Sequence, residues 1–180
     1  KPEKKEEIRV KESIEDIAGI SGRLYDVLSE KIKGQDMAIQ KLVKGYVNSR
    51  LTGQNQNGKP AASYLFAGPP GVGKTYLASL FAEVQSMPFK RLDMSEYANY
   101  HDSDGLVGFE PTYREARPGV LTPFIMENPA SVLLIDEIEK AHSTVKMLFL
   151  QVLEGARLYD KYYEKEVSFE NVIIIFTTNC

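Results

Sequence analysis

The sequence is poor in the residues that mark disulfide, membrane or nucleic-acid chemistry. Its 180 residues include one cysteine, Cys180, no tryptophan, and two histidines, His101 and His142. A single cysteine closes no internal disulfide, which excludes stapled secreted folds and points to a reducing compartment. No apolar run approaches the ~20 residues that span a bilayer. The N-terminus, KPEKKEEIRVKE, lacks the apolar stretch of a signal peptide. These absences argue against a membrane and for the cytoplasm, with an organellar matrix as the alternative. Positive charge is not in excess either: 22 Lys and Arg face 25 Asp and Glu, a formal net charge of −3. Nucleic-acid binding would call for a concentrated basic face, so the balance argues against that partner. The two histidines lie far apart in sequence, without metal-ligand spacing.

What is present is an ordinary globular composition, 43% hydrophobic and 26% charged, at a length that suits one domain. Residues 1–20 read as a charged arm or linker, and residues 21–180 as the folded domain. Leu24, Val27, Leu28 and Ile32 fall on one helical face. Gly34 breaks that helix, and Asp36 opens another with a stripe at Ile39, Leu42, Val43, Tyr46 and Val47. TGQNQNGKP (52–60) is a polar loop. Strands SYLFAG (63–68), FKRLDM (89–94), SVLLID (131–136) and NVIIIFTT (171–178) then alternate with helices anchored by Leu77, Leu80, Phe81 and by Val145, Leu148, Phe149, Val152, Leu153. Alternation of this kind predicts an α/β domain with a mostly parallel sheet flanked by helices. The chain stops directly after its last apolar strand, which reads as a fragment of a longer protein.

GPPGVGKT (68–75) satisfies G-x-x-x-x-G-K-[ST], with an apolar strand before it and a helix after it. Such a loop curls backbone N–H groups around the phosphates of a nucleotide. Gly68, Pro70, Gly71, Val72 and Gly73 form the turn, and Lys74, Thr75 and Tyr76 open the helix. Lys74 reaches the terminal phosphates, and the Thr75 hydroxyl can ligate Mg2+. VLLIDE (132–137) delivers Asp136 to the C-terminal edge of a buried strand, where it can hold Mg2+. Glu137 follows, placed to polarise an attacking water. Asn179, after the last strand, is placed to position that water. The set predicts ATP hydrolysis rather than phosphate binding alone.

GQDMAIQKL, LFAGPPGVGKT, RLDMSEY, LLIDEIEKAH, FLQVLEG and FTTN occur in one order over roughly residues 30–180. In that order they resemble the second ATPase module of the Clp family of AAA+ unfoldases and disaggregases. The resemblance implies a P-loop AAA+ core, here without the C-terminal helical lid. It also implies ATP with Mg2+, a homo-hexameric ring, a polypeptide substrate drawn through a pore, and a peptidase as a possible partner. Adenine would rest against Ile32, Lys33 and Gly34. Arginines from a neighbouring subunit and from the lid would complete the site, and both would lie beyond Cys180. The isolated chain is therefore expected to hydrolyse ATP poorly and to assemble weakly.

Two segments depart from the family pattern. Its substrate-gripping loop is usually Gly-Tyr-Val-Gly, whereas LVGFEPTYREARPGVLT (106–122) carries Tyr113 between Thr112 and Arg114. Tyr113 reads either as the gripping aromatic or as an anchor packing the loop on the sheet. LYDKYYEKEVSF (158–169) replaces a glycine-containing turn with Tyr159, Tyr162 and Tyr163. It reads as a solvated hairpin with aromatic cross-strand pairs, or as a modified pore surface. Two rival functions remain beside the polypeptide motor: a nucleic-acid remodeller and a nucleotide-gated scaffold that threads nothing.

Overall fold

The computed structural model describes residues 19–51, 58–112, 114 and 116–179. Most of the charged arm, residues 52–57 of the polar loop, Tyr113 and Cys180 lie outside the described residues. Two compact units divide the chain, residues 1–54 and 55–180.

The first unit is helical. Residues 19–31 form α1, and α2 runs Asp36–Leu51. Gly34 separates them with φ 76, a left-handed backbone that side chains with a Cβ adopt only under strain. Asp36 then sits in the first turn of α2, where its charge complements the helix dipole. The expected stripes point inward: Leu24, Leu28, Ile32, Ile39, Leu42, Val43 and Tyr46 are buried, while Val27 and Val47 are half-buried.

The second unit is an α/β layer. Its sheet comprises β1 (Ala62–Ala67), β2 (Phe89–Asp93), β3 (Val132–Asp136) and β6 (Ile173–Thr178), in the order β1-β6-β3-β2. All three pairings are parallel. Every residue of β3 is buried, which is why VLLID reads as a continuous apolar run instead of an alternating one. β1 lies at the sheet edge and does alternate, leaving Leu65 62% exposed.

Helices cover the sheet. α3 (Lys74–Val84) follows β1 and buries Leu77, Leu80 and Phe81. Two short helices, α4 (Asp102–Val107) and α5 (Thr122–Glu127), precede β3, and α6 (Ser143–Gly155) follows it. On α6, Val145, Phe149 and Val152 are buried in the main core, with Leu148 and Leu153 packed beside them. Phe149 meets Phe176 of β6 edge to face at 5.8 Å, a favoured aromatic geometry. Fully burying a side chain of this size contributes about 1.5–3 kcal/mol.

Between α6 and β6 stands an antiparallel hairpin, β4 (Arg157–Asp160) with β5 (Lys165–Ser168). The hairpin was expected, but its aromatic cross-strand pairs do not occur. Tyr159 faces Glu166, Leu158 faces Val167, and Tyr162 and Tyr163 lie in the turn. There the two rings stack edge to face at 5.0 Å. A four-residue turn, with Glu164 at φ 50, lifts these tyrosines out of the ladder. Inside the hairpin, Asp160 is fully buried. Its carboxylate accepts from the Thr122 hydroxyl and, at 2.7 Å, from the Tyr163 N–H.

Candidate active site

Strand order decides where the site forms. β6 lies between β1 and β3 although it comes last in sequence, so the ends of β1, β6 and β3 meet at one edge. Crevices of this kind, at the C-terminal edge of a parallel sheet, receive ligands. The ladder runs to the brim: the Gly68 N–H donates to the Thr178 carbonyl at 3.3 Å.

The phosphate loop spans this edge. Gly71 and Gly73 take φ 82 and φ 91, conformations that favour glycine. Gly73 caps α3 without a side-chain hydrogen bond, so the helix presents a bare backbone terminus. Lys74 is the first residue of α3, and its ammonium folds back across the loop. It donates to the carbonyls of Gly68 at 2.5 Å and Pro69 at 2.9 Å, and to Asn179 Oδ1 at 2.9 Å. Three oxygen acceptors thus hold the cation where phosphate oxygens would compete for it.

Asp136 ends β3 and is 5% exposed. Its Oδ1 accepts from the Thr177 hydroxyl at 2.5 Å, and its Oδ2 accepts from the Thr75 hydroxyl at 3.1 Å. Oδ2 also takes Arg91 Nε at 2.8 Å, and Arg91 Nη2 stands 2.7 Å away. Carboxylate and hydroxyl oxygens side by side are the hard donors that magnesium prefers, so the residues present fit a Mg2+-bound nucleotide.

Glu137 leaves the strand with φ 57 and ψ 53. A non-glycine residue in that region costs about 1–2 kcal/mol, and such strain clusters at functional sites. Its N–H donates to Thr177 Oγ1 at 2.8 Å, which fixes the turn. Both side-chain oxygens are engaged: Oε1 by Asn179 Nδ2 at 2.5 Å, and Oε2 by Lys140 Nζ at 2.5 Å. That hydrogen bond and its charge raise the Lys140 pKa above the ordinary 10.5. The Asn179 N–H donates to Glu139 Oε1 at 3.1 Å. Burial opposes ionisation of Glu139, but the backbone N–H groups of Glu139 and Asn179, the Thr178 side chain and the Lys140 charge together lower its pKa.

The geometry therefore brings together Lys74, Thr75, Asp136, Glu137 and Asn179, all read from sequence. Pro70 is exposed, Tyr76 is 52% exposed, and Val72 is half-buried. Ile32, Lys33 and Gly34 belong to the helical unit. There Ile32 is 7% exposed, and Lys33 Nζ donates to the Ser29 carbonyl at 3.0 Å. Tyr113 lies outside the described residues. Sequence reasoning missed Arg91 and Lys140. The motifs RLDMSEY and DEIEKAH contained both, and alternation along β2 places Arg91 and Asp93 on one face, which was the available signal. His142 proves to be the N-cap of α6, accepting from the Thr144 N–H through Nδ1 at 3.2 Å. The His142 backbone N–H donates to the Tyr97 carbonyl at 2.9 Å.

Comparison with known proteins bears on the family of the chain. Residues 59–180 match the AAA domain of the Cdc48 subfamily. The chain is 41% identical over 156 residues to the ATP-dependent Clp protease ATP-binding subunit ClpE of Bacillus subtilis (strain 168), covering 84% of this chain and 22% of that protein. It is 44% identical over 164 residues to the ClpE of Lactococcus lactis subsp. lactis (strain IL1403), covering 87% and 21%. It is 42% identical over 162 residues to the chaperone protein ClpB of Staphylococcus epidermidis (strain ATCC 35984), covering 87% and 18%. The chain thus spans roughly a fifth of the length of these relatives. With a phosphate loop, an acidic strand end and an asparagine just beyond β6 converging on one sheet edge, the chain belongs to the AAA domain family of the Cdc48 subfamily.

Proposed function

We propose that this chain binds Mg·ATP and hydrolyses it as the nucleotide module of a protein-remodelling motor. The observation that carries the reading is the continuous bridge from Lys74 through Asn179 to Glu137. It joins the group that would bind the terminal phosphate to the group that would accept a proton from water. Lys74 exchanges its carbonyl partners for phosphate oxygens, and Thr75 and Asp136 hold the metal. When bound, magnesium draws charge from the phosphate oxygens and eases departure of the terminal phosphoryl group. Glu137 takes the proton of the attacking water through a carboxylate oxygen, and the Asn179 amide holds that water in line. The backbone of Pro70, Gly71, Val72, Gly73 and Tyr76 lines the phosphates.

The substrate of the motor is polypeptide, a reading supported by the Clp protease subunit and chaperone names of the relatives. The loop carrying Tyr113 is the proposed grip. Its base is pinned: the Phe109 N–H donates to the Arg117 carbonyl at 3.0 Å, and the Leu121 N–H donates to the Leu106 carbonyl at 3.0 Å. Glu110, Pro111, Thr112 and Arg114 are exposed beyond that base, as a surface meant to touch another chain requires. An aromatic there offers contact that tolerates any side chain. A peptidase partner, by likeness to the Clp protease subunits, and a homo-hexameric ring, from the family resemblance of the motifs, complete the proposal.

ATP turnover by the protein alone, with an unfolded polypeptide and with DNA tests the reading, using Tyr113→Ala for comparison. Stimulation by the polypeptide that disappears in the variant supports a threading motor. Stimulation by DNA alone favours a nucleic-acid remodeller. Turnover that responds to neither leaves a nucleotide-gated scaffold.

A further inference from the structure

Arg91 stands two residues before Asp93 on β2, so both side chains leave the strand on one face. Strand register pairs Asp93 with Asp136 across β2 and β3. The Arg91 guanidinium lies between the two carboxylates. Its Nη2 is 2.7 Å from Asp136 Oδ2 and 3.4 Å from Asp93 Oδ2. The carboxylates differ in their need for it. Asp136 is 7% exposed at the side chain, and Asp93 is 32% exposed. Asp93 also has the Ser95 N–H at 3.0 Å and the Ser95 hydroxyl at 2.6 Å.

Charge and geometry lead to one consequence. In this trio, two carboxylates and one guanidinium leave a single negative charge. Arg91 uses Asp136 Oδ2, the nearer of the two carboxylate oxygens to the Thr75 hydroxyl, at 3.1 Å against 3.3 Å for Oδ1. A divalent cation held by Thr75 and Asp136 would therefore meet the Arg91 guanidinium on the same carboxylate. Asp93, already 3.4 Å away, is the carboxylate onto which the guanidinium can shift by a side-chain rotation.

We infer that Arg91 is a positioning residue that competes with the divalent cation for Asp136, and that Asp93 is its alternative seat. The pair then sets how much Mg2+ the site needs, separately from how tightly it grips the nucleotide itself. This rests on the Mg·nucleotide reading of the site, and it names a control on that site that the phosphate loop and the acidic strand end do not contain.

The test is a titration of Mg2+ at fixed concentration of a fluorescent ADP analogue, with a parallel titration of the analogue in EDTA. Arg91→Gln lowers the half-saturating Mg2+ about fivefold or more, a typical size for coupling between two bound groups. Affinity in EDTA stays unchanged. Asp93→Asn, which removes the alternative seat, moves the Mg2+ midpoint the opposite way. Arg91→Lys keeps the charge but loses the fork, and falls between wild type and Arg91→Gln. An unchanged Mg2+ midpoint in Arg91→Gln with a wild-type melting curve overturns the inference and leaves Arg91 as a structural ion pair. Should Arg91→Gln not fold, Asp93→Asn decides alone, and an unmoved midpoint there is equally fatal. Wild-type protein that binds no analogue with or without Mg2+ would instead overturn the nucleotide reading.

Discussion

Asn179 holds Glu137 and Lys74 at once: its Nδ2 donates to Glu137 Oε1 at 2.5 Å, and its Oδ1 accepts from Lys74 Nζ at 2.9 Å. One amide on the end of β6 thereby links the phosphate loop after β1 to the acid after β3. An amide can do this because it carries a donor and an acceptor on one planar group. No other uncharged side chain of that length offers both at fixed geometry.

Replacing Asn179 with alanine separates orientation from binding. Lys74 keeps its two carbonyl partners in the variant, so nucleotide affinity is held nearly constant. Single-turnover hydrolysis falls about a hundredfold while affinity changes less than about threefold. Rapid-quench measurement beside a binding titration checks this. Equal losses in both would show that Asn179 shapes the loop and does not act on the water.

Gly119→Ala tests the base of the loop that carries Tyr113. A Cβ on Gly119 would sit 2.2 Å from the Leu106 carbonyl oxygen and 2.6 Å from the Gly108 N. These are backbone atoms, so the clash is relieved only by moving the chain. The variant melts at a lower temperature, by the equivalent of about 1–3 kcal/mol, and polypeptide no longer stimulates its ATP turnover. A wild-type melting curve would show that the base is not held as described.

Much of this was legible in the sequence, for a physical reason. A strand buried on both faces has to be apolar along its length, so VLLI and IIIF mark the centre of the sheet, and the acids Asp136 and Glu137 after VLLI mark its edge. The phosphate loop is equally local, since its chemistry lies in consecutive residues. Alternation along β2 puts Arg91 beside Asp93, but its partner Asp136 was not legible, because the pairing of β2 with β3 is a register that no periodicity in either strand specifies. The hairpin was misjudged for a related reason. Tyr159, Tyr162 and Tyr163 suggested a ladder of rings, but the inward positions are Leu158, Asp160 and Val167. A buried aspartate held by Thr122 and the Tyr163 N–H fixes the turn and leaves Tyr162 and Tyr163 outside the ladder.

Acid stability gives an independent check on Asp93. The Ser95 hydroxyl, then the Ser95 N–H, holds its carboxyl below the ordinary value of 3.8, with Arg91 adding to the effect. A carboxyl depressed in the folded state contributes stability above its unfolded pKa and loses it as pH falls through the folded value. Ser95→Ala therefore melts below wild type at neutral pH, and the gap narrows as pH drops below 3.8. Thermal melts between neutral and strongly acidic pH measure it. A gap that is constant across that range would mean the Ser95 contact does not act through the charge of Asp93.

Glu137→Gln isolates the proposed role of Glu137 as the proton acceptor of an ATP-hydrolysing site. The amide keeps the size of the side chain but accepts no proton, so binding and chemistry separate. With ATP limiting and protein in excess, phosphate release is followed alongside Mg·ATP affinity for both forms. The account predicts affinities within about threefold of each other and phosphate release slowed about a hundredfold or more in the variant. Hydrolysis at the same rate in both forms, or no Mg·ATP binding by either, would contradict it.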